Sequence, residues 1–194
     1  MFTKTLLSNT NALLKKIKFT ITISWIILTR MYDAYSTNQL TPDLSKESNP
    51  LVSVLGMTWA PLLIVLGLLT VYVVYAFYVS TFKPTPLFPS QNGYTFKEFV
   101  TFTYLGRTDS WMALVYKFPK DLNRLNNWMG IVLTKGLVFA GGVSTAMWLF
   151  INYTDFYKNM HSAQLVYSIL IIGFLAIIYF WNKKMYATYL SETN

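Results

Sequence analysis

Leu51 to Phe82 is a run of 32 residues without a single Asp, Glu, Lys or Arg, and it is apolar almost throughout. A stretch of that kind belongs in hydrocarbon, whose thickness of about 30 Å takes about 20 helical residues to cross. Wholly helical, the run would reach roughly 48 Å, too far for one perpendicular span. Pro61 lacks a backbone donor, so a kink is expected after Trp59. The reading is a short outer section, Leu51–Ala60, and then a span ending near Ser80.

Three more stretches have the same character: Phe19 to Thr37, Trp128 to Tyr153 and Ala163 to Trp181. Only 12% of the chain is charged, against about 25% in soluble domains. The fold class expected is therefore all-α: a polytopic membrane protein with four transmembrane helices plus interfacial amphipathic helices. Residues 1–18 form a basic amphipathic N-terminus, in which Leu6, Leu7, Leu13, Leu14 and Ile17 recur at helical spacing. Residues 19–82 are a two-span half with an outer acidic turn, and 83–127 an interfacial loop. Residues 128–182 are a helical hairpin of two spans, and 183–194 a tail. A signal peptide competes for the basic start, but no small-x-small cleavage pattern follows Thr29.

Lys and Arg alternate along this plan. Four precede the first span, and Lys46 alone lies between the first two. Six occupy 83–127, Lys158 alone separates the last two spans, and Lys183 and Lys184 follow. The positive-inside rule then places both termini and the long loop in the cytoplasm. The same topology accounts for the net charge of +8, so the partners expected are the lipid bilayer and other membrane subunits, with no nucleic acid. The absence of Cys excludes disulfides and thiolate chemistry. The single His, His161, reads as a solvated outer-loop residue, and Lys135 as a snorkelling side chain. No internal repeat suggests an inverted-repeat transporter.

The long loop has local signals of its own. Pro84, Pro86 and Pro89 keep its start extended, and Asn92-Gly93 marks a turn. Thr95-Phe-Lys-Glu98 is a capping box opening a helix that Gly106 ends. With Phe96, Phe99, Val100 and Phe102, that helix is expected to lie along the membrane surface, and Ser110–Phe118 to form a second such piece. In the third span, Gly136, Gly141, Gly142, Ser144, Thr145 and Ala146 form a small-residue face suited to close helix packing.

The chemistry-bearing residues gather between Arg30 and Pro50. Counted from Phe19, Arg30 lies roughly 17 Å and Asp33 roughly 21 Å along the first span. Three apart on one face, they can pair, and Thr37 follows one turn later. Charges inside a span cost about 2.5–3.5 kcal/mol each on insertion scales, so they pair or line a polar site. Asn49 is placed to N-cap a helix whose first residue is Pro50, with Asp43 and Glu47 near its positive end. Capping and pairing alone would explain the cluster. Alternatively Arg30, Asp33, Thr37, Asp43, Glu47 and Asn49 form a ligand or polar site. Asp33, Asp43 and Glu47 would then be the hard oxygen donors for a divalent cation, the one cofactor the sequence leaves open. No nucleophile–base pair accompanies them, so no catalytic residue is assigned.

The pattern Asp33-x-x-x-Thr37 followed by Glu47-x-Asn49-Pro50-Leu51 resembles a domain-of-unknown-function family of small bacterial integral membrane proteins. There the first motif closes one span and the second opens the next. The resemblance covers residues 20–80. It implies a bacterial inner membrane setting and interest in Asp33, Glu47 and Asn49, and it carries no activity. The function expected is an accessory or scaffolding subunit of a larger membrane complex. The alternatives are a small transporter or channel component using Arg30, Asp33 and Glu47, and a membrane enzyme with a carboxylate-bound divalent metal.

Overall fold

The computed structural model describes residues 2–119, 121–160 and 162–193, and every regular element among them is an α-helix. His161 lies outside the described residues. In chain order the helices are α1 (Phe2–Leu40), α2 (Pro50–Ser53), α3 (Trp59–Phe82), α4 (Phe96–Leu105), α5 (Ala113–Tyr116), α6 (Leu122–Tyr153), α7 (Asp155–Met160) and α8 (Ala163–Thr193). Among the described residues, α3, α6 and α8 are long and apolar enough to cross a membrane. The chain is a membrane protein by that criterion. α1 does not reach it, because Thr20, Thr22, Ser24 and Thr29 interrupt its apolar residues before Arg30 and Asp33 break the run.

Several boundaries differ from those read in the sequence. α1 is one helix of 39 residues with no break at 18/19. It contains neither Gly nor Pro, so nothing in it stops propagation until Pro42 disfavours helical backbone at Thr41. Pro61 produces no kink after Trp59. It sits in the first turn of α3, where its missing N–H would have had no helical partner in any case. The break falls earlier, at residues 54–58, where Gly56 has φ +64°.

The chain forms two compact units, Met1–Tyr72 with Leu137–Ile172, and Val73–Gly136 with Gly173–Asn194. The second contains the long loop, which is folded by contacts with α6 and α8. The capping box of α4 forms in full: Thr95 N–H donates to Glu98 Oε2 at 2.9 Å and Glu98 N–H to Thr95 Oγ1 at 3.4 Å. Gly106 closes the helix in the left-handed region, φ +75°. The apolar side of α4 is spent on protein contacts, not lipid. Phe99 is wholly buried, with its ring centroid 5.4 Å from that of Tyr186 and 5.3 Å from that of Tyr189. Those two tyrosines belong to α8, which continues past Lys183–Lys184 instead of ending in a tail. Tyr189 Oη donates to Gln91 O at 2.8 Å and Tyr186 Oη to Tyr94 O at 2.9 Å. The proline-rich stretch is thereby fastened to α8.

Its other fastening is Arg124, in the first turn of α6. The guanidinium donates to the carbonyls of Leu87 (3.0 Å), Phe102 (3.2 Å), Thr103 (3.4 Å) and Pro86 (3.2 Å), and it lies 4.9 Å from the centroid of the Phe102 ring. Phe102 and Thr103 are in the last turn of α4, whose open carbonyls carry partial negative charge that a cation satisfies. One turn on, buried Asn127 donates to Thr85 O at 2.7 Å. Close helix approach completes the unit: a Cβ at Gly130 would overlap the backbone carbonyl of Ala76, and one at Gly136 the ring of Phe174.

Arg124→Lys keeps the charge but loses the fork that reaches four carbonyls. It is expected to destabilise this unit by about 2 kcal/mol, the scale of hydrogen bonds to a charged group. The change is read as a lower unfolding midpoint in detergent together with faster proteolysis between Lys83 and Thr95. Wild-type resistance at that stretch would disprove the clamp.

Candidate functional site: a polar seam in the first unit

Along α1, Ile26, Thr29, Ser36 and Thr37 are buried, and Arg30 and Asp33 are half-buried between them. These positions recur at three and four residues and form one face of the helix. On α6 the matching stripe is Gly141, Ser144, Thr145 and Trp148, again at helical spacing. Gly141 permits the contact. A Cβ there would overlap Thr29 Oγ1 and stand 3.0 Å from Thr29 Cβ. Thr29 turns its hydroxyl back to the carbonyls of Trp25 and Ile26, at 2.9 and 3.1 Å, which leaves it no unmet donor in the seam. Trp25 Nε1 donates to Val138 O at 3.2 Å, a further tie between the same two helices.

Asp33 is the centre of this arrangement. Its Oδ1 accepts from the Ser144 hydroxyl, and from Trp148 Nε1 at 2.7 Å. Its Oδ2 faces Arg30 Nη1 at 3.5 Å, a long contact between side chains that are 30% and 33% exposed. The pair expected from the sequence is present, but the stronger bonds of Asp33 go to α6. A carboxylate that collects two donors from another helix is satisfied mainly by hydrogen bonding. Arg30 is left short. Among the described residues its Nε and Nη2 are buried without an acceptor, as are the hydroxyls of Ser36 and Thr145.

The other expected site residues serve the turn between α1 and α2. Asp43 Oδ1 accepts from Ser45 N at 3.0 Å and from Thr41 Oγ1 at 3.3 Å. The Ser45 amide, first among these contacts, holds the Asp43 carboxyl below its ordinary range. Lys46 N donates to Thr41 Oγ1 at 3.2 Å, Asn49 N to Glu47 Oε1 at 2.8 Å, and Leu51 N to Asn49 Oδ1 at 3.0 Å. Asn49 is thus the N-cap of α2 with Pro50 at its start. Trp59 Nε1 closes the turn from the far side, donating to Pro42 O at 2.7 Å. Leu44 adopts a left-handed φ of +59° inside it, a strained conformation for a branched side chain that its burial holds in place.

Asp33, Asp43, Glu47 and Asn49 therefore do not converge. Among the described residues, no three His, Cys, Asp or Glu side chains gather as a metal-binding group. Thr37 is buried one turn beyond Asp33 and makes no side-chain bond to it. An open cleft of about 610 Å³ is lined by Ser45, Glu47, Ser48 and Ser53 on the turn and by Gln164, Tyr167 and Ser168 on α8. Sequence reasoning assigned no role to Trp148 or Tyr167, and Ser144 only a packing one. The signal for the α6 partners is the Gly141-x-x-Ser144-Thr145-x-x-Trp148 stripe, which places a small residue, two hydroxyls and an indole donor on one line.

No protein-family model, no curated protein and no solved structure matches the chain.

The Gly141–Thr29 contact sets the spacing of the seam. Gly141→Ala is expected to cost about 1–3 kcal/mol, as overpacking does. Thr29→Ala, which removes the overlapped hydroxyl and methyl, recovers part of that loss in the double variant. Additive effects in a thermal-unfolding cycle would show that the two residues do not touch.

Proposed function

We propose that the chain is an accessory or scaffolding subunit of a larger membrane complex. The observation that carries this reading is how the acidic outer residues are used. Asp33 is bonded to Ser144 and Trp148, while Asp43 and Glu47 accept from backbone amides of their own turn. Carboxylates engaged in this way hold helices and caps. In this proposal α1 is a fourth span, its polar face turned to α6. The Lys and Arg alternation supports cytoplasmic termini, and the Asp33/Thr37 and Glu47/Asn49/Pro50 resemblance supports a bacterial inner membrane. The second unit, clamped by Arg124 and Asn127, suits a scaffolding role because its loop is ordered by long-range bonds.

One observation favours a second reading, a small transporter or channel component. Arg30 Nε and Nη2, Ser36 Oγ and Thr145 Oγ1 are buried in the same unit with hydrogen-bonding capacity unused. Groups of that kind are costly unless a polar guest or ordered water meets them.

A single variant separates the readings. Asp33→Asn can still accept from Ser144 and Trp148 while losing its charge. A subunit role predicts that the protein, extracted in mild detergent, runs in a complex well above its own mass of 22.4 kDa, and that Asp33→Asn leaves this unchanged. A transport role predicts ion or solute flux in vesicles that Asp33→Asn abolishes. A lone stable monomer with charge-dependent flux would overturn the first reading in favour of the second.

A further inference from the structure

The second unit buries the apolar side of α4 but leaves the next segment bare. Trp111 is 45% exposed, Met112 67%, Val115 82%, Tyr116 62%, Phe118 79% and Leu122 67%. Six large apolar side chains within twelve residues form a patch of a kind that soluble surfaces seldom carry without a use. The interior offers them no room. Ala113, between them, is fully buried, and the α4 side is filled by Phe99, Val100, Tyr186 and Tyr189. Trp111 touches the edge of this cluster at Phe96, 6.3 Å between ring centroids, and turns the rest of its indole outward.

Two facts indicate what covers the patch. The segment 83–121 joins α3 to α6, both long and apolar enough to span, so its two ends are tied to one face of one bilayer. The charges of the loop are also biased. Lys83, Lys97, Arg107, Lys117 and Arg124 face only Glu98, Asp109 and Asp121 among the described residues. Asp109 is already engaged by Lys117 Nζ at 2.7 Å and Arg107 Nε at 3.6 Å. Lys117 also stands 5.5 Å from the centroid of the Tyr116 ring. Aromatic and aliphatic side chains beside a surplus of cations match an anionic lipid–water interface, where rings and methylenes enter the acyl boundary and ammonium groups meet phosphates.

We infer that residues 111–118 form an interfacial anchor, with Trp111, Met112, Val115, Tyr116 and Phe118 inserted among the lipids of the leaflet that receives the α3–α6 loop. The anchor rests on α4 as a platform and does not depend on which reading of the polar seam holds.

The chain lacks Cys, so single cysteines can be introduced into the full protein without background. Val115→Cys and Phe118→Cys, both at exposed positions and so compatible with folding, are spin-labelled and reconstituted in phosphatidylcholine–phosphatidylglycerol vesicles. Each label is expected to collide several-fold more often with oxygen, which concentrates in lipid, than with a water-soluble nickel chelate. Preference for the chelate would overturn the anchor by placing the patch in water. Protection from both reagents would overturn it by placing the patch against protein. Label–label broadening would do so by placing it against a second copy.

Discussion

The two hydrogen bonds that Asp33 takes from α6 organise the first unit. A half-buried carboxylate needs donors, and the neighbouring helix supplies them. This needs close approach, which Gly141 supplies opposite Thr29. Polar attachment and small-residue packing are therefore one device here. The carboxylate gives the contact direction, and the glycine gives it distance.

The second unit solves the same accounting problem with different chemistry. Its loop backbone cannot form a regular ladder, because Pro84, Pro86 and Pro89 remove donors and fix extended geometry. The remaining carbonyls are collected by side chains from α6 and α8: Arg124, Asn127, Tyr186 and Tyr189. Phe88, Phe99 and Tyr189 then fill the centre, with ring centroids 5.3–6.4 Å apart. α8 belongs to this core through its last turns, which is why its helix does not stop at the paired lysines.

What could be read from the sequence was what is local in it. Asn49-Pro50, Thr95-x-x-Glu98 and Gly106 declare helix ends within four residues of themselves, and each is realised. Three apolar helices follow from the same kind of local summation. Pro61 was misread because proline is disruptive inside a helix and harmless in its first turn, and only the start of α3 distinguishes these. In α4 the stripe does not say what covers it, and Phe99 and Val100 are covered by tyrosines of α8. The bonds of Asp33 to residues more than a hundred positions away have no local signature, beyond a stripe of small and hydroxyl residues whose partner is unstated. Arg30, expected to be the neutralising partner, holds only the weaker end of the network.

Arg124 has a property that its hydrogen bonds do not reveal. Its four oxygen partners are neutral carbonyls. Carbonyls satisfy donors without cancelling a monopole. A carboxylate in their place would have made the guanidinium half of a neutral pair. Carbonyl ligation instead leaves Arg124 a full cation at the start of α6, so the group that stitches the loop together still contributes its charge to the basic surplus of that segment.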